Sequence, residues 1–477
     1  MSDASGVATL LPPAAPRKSS LGDVNSAVPH FQFARYPLIL LLLASVVVAL
    51  PASAEWKEKV LYSFQGGTTD GSVPAGGVVF DKAGNLYGAD TSGGSGGCPN
   101  QGCGMVFQVS PPAQKGGAWT ETSIYAFQGV LKGATDGFTP AGGLIIDGQG
   151  NLYGTTAYGG NGPCILLGTR AGCGIVYELS PPAQQGGQWT YTILYNFQGG
   201  NDGYFPWGNL VFDSQGTIYG ATQFGGGEGT TCNYIYGGQC GTVFKMSPPK
   251  TKGGNWTEKV LHRFKSGRDG ANPNGGLVFD TNGTIYGTTY GGGNESGNCG
   301  SGGCGTVFAL QSPIKKGGPW TEKQLHVFAG GSDGSLPSAG VIFDSKGSLY
   351  GTTVGTLFRL APPSNKSGRW TKTILYTFNQ EAYGPEGALI FDKNRNLYGT
   401  TYSGNRFSGT VFRLKPPTRK GGNWAFTILY GFTGSSEGAQ PAADLVFDQQ
   451  GNLYSTTQLG GTGACTFGCG TVFEVKP

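Results

Sequence analysis

Leu277-Val278-Phe279-Asp280-Thr281-Asn282-Gly283-Thr284-Ile285-Tyr286-Gly287-Thr288-Thr289 is one of seven copies of a single pattern. Each copy has two apolar residues, an aromatic or Ile, Asp, two variable residues, usually Gly, a polar residue, Leu or Ile, then Tyr. The Asp recurs at Asp81, Asp147, Asp213, Asp280, Asp344, Asp392 and Asp448, in steps of 66, 66, 67, 64, 48 and 56 residues. The Tyr recurs at Tyr87, Tyr153, Tyr219, Tyr286, Tyr350, Tyr398 and Tyr454. Self-similarity at such a period is the mark of a repeat architecture. Each copy reads as a hairpin: two short runs of strand-favouring residues flank Asp-x-x-Gly. The Asp can accept hydrogen bonds from the turn's own backbone, and the Gly tolerates a left-handed conformation. Copy six has Arg395 in the Gly position. Asn394 or Arg395 is therefore expected to carry the unusual φ.

Working outward, a long alternating strand precedes each hairpin. Its Trp recurs at Trp56, Trp119, Trp189, Trp256, Trp320, Trp370 and Trp424, and its Phe at Phe64, Phe127, Phe197, Phe264, Phe328, Phe378 and Phe432. A Gly-rich loop after the hairpin leads to a strand such as Gly305-Thr306-Val307-Phe308, and Pro-rich turns lead to the next Trp. Four strands per unit, seven units and no helical periodicity predict an all-β, seven-bladed β-propeller over 55–477. From the axis outward, strand A is Leu277–Asp280, B is Ile285–Thr289, C is the Thr-Val-Phe strand and D is the Trp strand. A lone Trp strand, Trp56–Phe64, opens this region, and strands A, B and C of the seventh repeat close it. The first strand is thus expected to complete the last blade, which removes two exposed sheet edges.

The repeated Gly-Asn-Leu-Tyr-Gly-Thr-Thr, Gly-Thr-Val-Phe and Trp-Thr-Glu-Lys segments resemble the GloVer tandem-repeat proteins, a bacterial exported family with a variable anchor. The strand order is similar to NHL-type propellers. The resemblance covers about 55–477; it implies an exported propeller and no particular reaction.

Composition narrows the function. Of 477 residues, 88 are Gly and 28 are Pro, but the glycines sit at fixed repeat positions and read as turns of a folded chain. The net charge of +4 is small and scattered, and no basic face for nucleic acid is visible. Residues 1–54 read as an export signal: Arg35, the apolar run Leu38–Leu50, then Ala52-Ser53-Ala54 as a small-residue cleavage site. The leader ahead of the run is long, so an uncleaved membrane anchor is the alternative. Secretion or a periplasmic location follows in the first case, with no membrane attachment after cleavage.

All ten cysteines lie between strands B and C in pairs: Cys98/Cys103, Cys164/Cys173, Cys232/Cys240, Cys299/Cys304 and Cys465/Cys469. Repeats five and six lack both members, so each pair is expected to form one disulfide within its loop. Zinc is the rival reading, but it wants four ligands and each loop offers two thiols. Disulfides suit an oxidising compartment.

Chemistry is sparse. His30 lies in the leader, and His262 and His326 occupy the D-strand position that Tyr62, Tyr125, Tyr195, Tyr376 and Tyr430 hold elsewhere. No zinc-protease, phosphate-loop or nucleophile-elbow motif occurs. Asp280-Thr281-Asn282-Gly283 lacks the terminal Glu of a calcium loop, since Gly291 stands there. Asp70, Asp136, Asp202, Asp269, Asp333 and Glu437 form a possible carboxylate ring in the D–A loops, or plain turn punctuation. The more informative positions are those where the repeat breaks its own rule. Asn209, Glu386 and Asp444 stand at the start of strand A where others have Gly or Ala, with Trp207 and Asn274 just before. Blade three adds Tyr204, Phe205, Phe224, Tyr234 and Tyr236 in its loops.

Rings beside amides and carboxylates suit a sugar. These residues point to a monomeric, non-enzymatic recognition propeller, without cofactor or metal, whose partner is a glycan or a cell-surface protein. One alternative is a lyase or hydrolase using Glu386 and Asp444; another is an architectural envelope protein. The D–A and B–C loops carry the length variation, so the ligand is expected on that face. Short B–C loops in blades five and six leave a notch there, leading toward Glu386.

Overall fold

The computed structural model describes residues 55–98, 102–129, 136–166, 168–184, 186–227, 240–251, 253–294, 298–315, 317–365, 368–404 and 406–477. The leader 1–54, Cys232, Tyr234 and Tyr236 lie outside the described residues.

Seven antiparallel blades are present, each ordered A-B-C-D. Blade four is representative, with B at Ile285–Gly291, C at Thr306–Gln311 and D at Thr321–Val327. Strand A differs from the expected Leu277–Asp280. It comes in two pieces, Ala271–Pro273 and Val278–Phe279, both paired to strand B. Blade two runs the two pieces into one strand, Gly137–Ile146, with a register shift between Ala141 and Ile145. In blades one to four the inner strand therefore begins earlier than the hydrophobic pattern suggests and bulges midway, while blades five to seven show only the second piece. The bulge holds the Gly-Gly pairs, where backbones of neighbouring blades touch: a Cβ on Gly76 would sit 2.5 Å from the Gly143 nitrogen.

Strand D departs from strict alternation as well. Its register against strand C shifts by one in each blade, between Val60 and Tyr62 in the first D strand and opposite Val243/Phe244 in blade three. The extra residue is a buried Leu in several blades, Leu61, Leu261, Leu325 and Leu429. A bulge of this kind turns one more apolar side chain into the core.

The ring closes as expected. Lys57–Ser63 pairs antiparallel with Thr471–Lys476, so the first strand is strand D of blade seven. Trp56 then takes the place every other D-strand Trp takes. It contacts the strand-B Tyr of the preceding blade, Tyr398, at 6.3 Å, as Trp256 contacts Tyr153 at 6.2 Å and Trp370 contacts Tyr286 at 6.2 Å. Edge-on contacts between that Tyr and the strand-A Phe of the next blade, such as Phe80 with Tyr454 at 5.1 Å, bind the blades into one core.

The repeated polar residues prove to be braces. Asp81 Oδ1 accepts from the Ala83 and Asn85 amides, and its Oδ2 accepts from Asn85 Nδ2 and Tyr87 Oη at 2.7 and 3.0 Å. The Asp-to-Tyr bond recurs in all seven hairpins. In blade six the left-handed position of the turn is Arg395, φ 65°.

Candidate functional site

The D–A carboxylates can be assigned first. Asp70 accepts from Tyr62 Oη, the Gln65 amide and the Gly71 amide at 2.9, 2.7 and 2.7 Å. Asp136 repeats this with Tyr125, Gln128 and Gly137. His262 and His326 substitute for the Tyr, meeting Asp269 and Asp333 at 3.0 and 3.1 Å. These groups tie strand D of one blade to the entry of the next blade's inner strand, which accounts for both the Asp-Gly pairs and the histidines. No cluster of three or more metal-ligating side chains occurs among the described residues.

Three disulfides of the B–C loops close as expected within blades one, two and four, and one within blade seven. Cys240 is also disulfide-bonded. Their placement explains what they hold. The carbonyl of each second cysteine accepts the amide of the residue before the Pro that leads into the next blade's inner strand: Cys103 from Thr139, Cys173 from Phe205, Cys240 from Asn272, Cys304 from Leu336 and Cys469 from Val73. Each of these residues precedes a Pro and has φ between 53° and 60°. Left-handed backbone at Val, Thr, Phe and Leu is uncommon and strained. The following Gly in the B–C loop packs against that Pro, since a Cβ on Gly104 would lie 2.4 Å from Pro140 Cδ. The stapled loops thus clamp the entry to the inner strands of blades one to five.

Beyond that entry, two positions of each inner strand face the axis. Six residues before the hairpin Asp stand Ala75, Ala141, Trp207, Asn274, Ser338, Glu386 and Ala442; four before it stand Gly77, Gly143, Asn209, Gly276, Gly340, Ala388 and Asp444. Glu386 therefore shares its position with Trp207 and Asn274, one tier nearer the loop-rich face than Asn209 and Asp444. Grouping it with those two at the sequence level overlooked that blade six is shorter ahead of its inner strand.

The deeper tier is engaged with itself. Asn209 Nδ2 donates to Asp444 Oδ2 at 2.7 Å across the axis between blades three and seven. Asn209 Oδ1 accepts from the Gly143 amide, and Asp444 Oδ1 from the Ala388 amide, both at 2.5 Å. Enclosure in the ring raises the Asp444 carboxyl above its ordinary value, and the bonds from Ala388 and Asn209 oppose that. Part of Asp444 still meets the cavity, but its depth within the ring governs its titration.

The upper tier is open. A cavity of about 570 Å³ is lined there by Trp207, Asn274, Glu386, Phe205, Gln223 and Tyr290. Glu386 keeps more than a third of its surface accessible and has no hydrogen-bonding or ionic partner among the described residues; the surrounding wall raises its carboxyl by desolvation. Trp207 stacks on Phe205 with centroids 5.2 Å apart and planes at 3°. Gln223 Nε2 donates to Asn274 Oδ1 at 3.4 Å. Phe205 in turn meets Tyr158 at 5.1 Å and Phe224 at 5.6 Å, and Tyr158 stacks on Phe138 at 5.1 Å. Tyr204 lies apart from the axis. It stacks on Phe224 at 5.4 Å and lines a second cavity of about 390 Å³ with Tyr158, Phe205 and Ile165.

The structure thus brings Trp207, Asn209, Asn274, Glu386, Asp444 and Phe205 to one cavity and sets Tyr204 in its neighbour. Sequence reading missed Phe138, Tyr158, Gln223 and Tyr290. Tyr290 directly follows the strand-B Thr-Thr pair and Tyr158 stands one residue further on, neighbouring positions that could have been compared across blades.

A family model described as the Gloeobacter/Verrucomicrobia repeat matches residues 164–364 and 298–477. No curated protein sequence matches the chain. Solved structures of similar fold include a Trichoderma reesei protein of Carbohydrate-Active Enzymes Family AA12, at 12% identity over 89% of this chain and 96% of that one, TM-score 0.42. The PQQ-bound aldose sugar dehydrogenase from Streptomyces coelicolor is 14% identical over 89% and 98%, TM-score 0.41. The pyranose dehydrogenase PQQ domain from Coprinopsis cinerea is 11% identical over 88% and 97%, TM-score 0.40.

Proposed function

The chain belongs to the Gloeobacter/Verrucomicrobia repeat family, and we propose that this member is an exported recognition propeller that binds a carbohydrate on its loop-rich face. One observation carries the reading. Trp207 and Glu386, two departures from the repeat at the same position on blades three and six, face a common cavity of about 570 Å³, and Glu386 has no partner among the described residues. An aromatic face next to amides and a carboxylate is what a pyranose ring uses: its C–H face stacks, and its hydroxyls hydrogen-bond to the polar groups. The ladder Trp207, Phe205, Tyr158, Phe138 extends this surface away from the axis. Blade five joins strands B and C by a turn of three residues, Thr353–Gly355, between Thr352 and Thr356. That gap in the rim gives an extended ligand a way in opposite the ladder.

A hydrolytic role is the second reading. Glycoside hydrolysis ordinarily asks two carboxyl groups to act on one bond. Asp444 has both oxygens engaged by Asn209 and Ala388, so among the described residues Glu386 is the carboxylate of the cavity free to meet a ligand. The geometry favours holding a sugar over cutting it. The disulfides support export to an oxidising compartment.

A glycan-array screen followed by a reducing-sugar assay on the hits tests this reading. Binding without new reducing ends, weakened at least tenfold by Trp207→Ala, is the expected result. Turnover would replace it with the hydrolytic role, and binding unaffected by Trp207→Ala would move the site elsewhere.

A further inference from the structure

The charge of the axial cavity narrows the ligand. Among the described residues two carboxylates, Glu386 and Asp444, line it, and no Lys or Arg does. The two acids differ in what they already hold. Asp444 is neutralised in part by the Asn209 amide and the Ala388 backbone N–H. Glu386 receives no donor from the described residues. A carboxylate on the wall of a half-enclosed cavity loses part of its hydration and gains nothing in return until a ligand supplies a donor or a positive charge. Opposite it stand the stacked Trp207 and Phe205, with Tyr290 on the same side. Aromatic faces attract cations through their negative quadrupole, Trp most strongly. Every charged or π-bearing group in the cavity therefore favours a positive ligand, and an acidic sugar would be repelled.

Resting on the carbohydrate-binding reading above, we infer that the sugar held at the axis is a hexosamine with a free amino group, its ammonium on Glu386 and its ring face on Trp207. Asn274, Gln223 and Gln458, all of which line the cavity, can already serve the hydroxyls of a neutral sugar; Glu386 can accept from a hydroxyl too, but only an ammonium also meets its charge. A small ammonium ion would leave most of the space unused. The second aromatic cavity shares Phe205 with the first, so the ligand is an oligomer with further rings beyond the axis. Glu386 is the specificity-determining residue and Trp207 the platform.

The test uses the full chain and three pentasaccharides of equal length: a glucosamine oligomer, its N-acetylated counterpart and a neutral β-glucan. An oligolysine of matched charge is the fourth probe. Affinities are measured by calorimetry at constant salt for the wild type, Glu386→Gln and Trp207→Ala, each first checked by its melting temperature. The glucosamine oligomer is expected to bind at least tenfold tighter than the other two sugars. Glu386→Gln removes that preference and leaves the three sugars equal; Trp207→Ala weakens all three. If the three sugars bind the wild type alike, or Glu386→Gln keeps the preference, the charge assignment falls and the carbohydrate reading stands. If oligolysine binds as well as the glucosamine oligomer, the site reads charge on a peptide and the hexosamine assignment falls. If no sugar binds, the carbohydrate reading itself falls.

Discussion

Asn209 Nδ2 donates to Asp444 Oδ2 at 2.7 Å across the propeller axis, joining blades that are 235 residues apart in sequence. Each partner is also tied to a neighbouring inner strand, Asn209 to Gly143 and Asp444 to Ala388. One hydrogen-bonded chain thus links the inner strands of blades two, three, six and seven. Removing either side chain leaves the other's polar atoms unpaired in a confined place, at a cost of about 1–3 kcal/mol. Asp444→Ala and Asn209→Ala are each expected to lower the melting temperature, and the double variant to cost clearly less than their sum. Additive losses in that cycle would show that the two residues act separately.

The pH dependence of stability comes from a different ring of acids. Glu58, Glu121, Glu258 and Glu322 occupy one position on strand D in blades seven, one, three and four. Burial, and then the neighbouring Glu437, Asp70, Asp202 or Asp269, pushes each carboxyl up to about 7 from 4.5; Arg263 and His262 oppose this at Glu258 and Glu322. A carboxyl whose pKa is higher folded than unfolded binds more protons in the folded state between those values. The stabilisation is complete below about pH 4.5 and is lost as pH rises through about 7. The melting temperature is therefore expected to fall between pH 5 and pH 8, and changing all four residues to Gln should flatten that slope. Blade five has Lys372 at this position, paired with Asp333 at 2.7 Å, and adds no such term.

Asp90 is a buried carboxyl with neither oxygen hydrogen-bonded, and burial followed by the Asp70 charge raises its pKa well above the usual range. Other blades place Thr here. In blade two Thr156 donates to the Tyr158 carbonyl at 2.6 Å with an apolar Ile175 opposite, and blade one has the similarly apolar Met105 opposite Asp90. Asp90→Thr should therefore form the same bond to the Ser92 carbonyl and relieve an unpaired group. A stabilisation of about 1–3 kcal/mol in a denaturant titration is expected. A loss of stability would mean that Asp90 has a partner that Thr does not reproduce.

Arg395 carries the left-handed φ of 65° that Gly carries in the other hairpins. A non-Gly residue there costs roughly 1–2 kcal/mol. Its guanidinium reaches Asp344 of blade five at 3.3 Å, with half of the Arg side chain exposed. Asp344 is itself buried but keeps its bonds from the Lys346 and Ser348 amides and Tyr350 Oη without the Arg, and a pair half open to water returns at most about 1 kcal/mol. Arg395→Gly is thus expected to leave the melting temperature equal or higher. A clear drop would assign the ion pair more weight than its exposure allows.

How much of this was legible in the residues follows from what repeats. The hairpin Asp, the strand-B Tyr and the D-strand Trp recur because each has a partner within its own blade or the next, and a pattern of seven copies exposes them. The paired presence of cysteines likewise gave the disulfides. The inner strand was harder to read, because its first piece ends in a Pro and runs into a Gly bulge, both of which resemble loop. That hid the left-handed residues before Pro74, Pro140 and Pro206, although a Pro seven residues ahead of every hairpin Asp was present in the chain. Trp207, Asn274 and Glu386 stood out as departures. What the sequence could not say was which departures were already engaged. Asn209 and Asp444 look as available as Glu386 until their mutual hydrogen bond is seen.

Ring closure yields the last expectation. Strand Lys57–Ser63 pairs over its length with Thr471–Lys476, from Lys57 opposite Lys476 to Ser63 opposite Thr471. Thr456 Oγ1 donates to the Gly76 carbonyl at 2.8 Å, and Ser63 Oγ accepts from the Thr462 amide at 2.6 Å. Deleting residues 55–64 would strip Trp56 from Tyr398 and Phe64 from Phe107, which lie 6.3 and 4.9 Å apart between ring centroids. It would also bare strand C of blade seven as an unpaired edge, a template for association. The deletion is expected to aggregate on expression. The informative control moves the same residues behind Lys476, joined by a copy of residues 111–117, which in blade one lead from strand C up to the Ala118-Trp119 pair that Glu55-Trp56 matches. Strand D of blade seven would then follow strand C directly, as it does in the other six blades, and every contact above would be kept. That permuted chain should melt within a few degrees of the wild type. If the permuted chain aggregates as readily as the deletion, the first strand must be needed at the start of the chain for a reason other than closing the seventh blade.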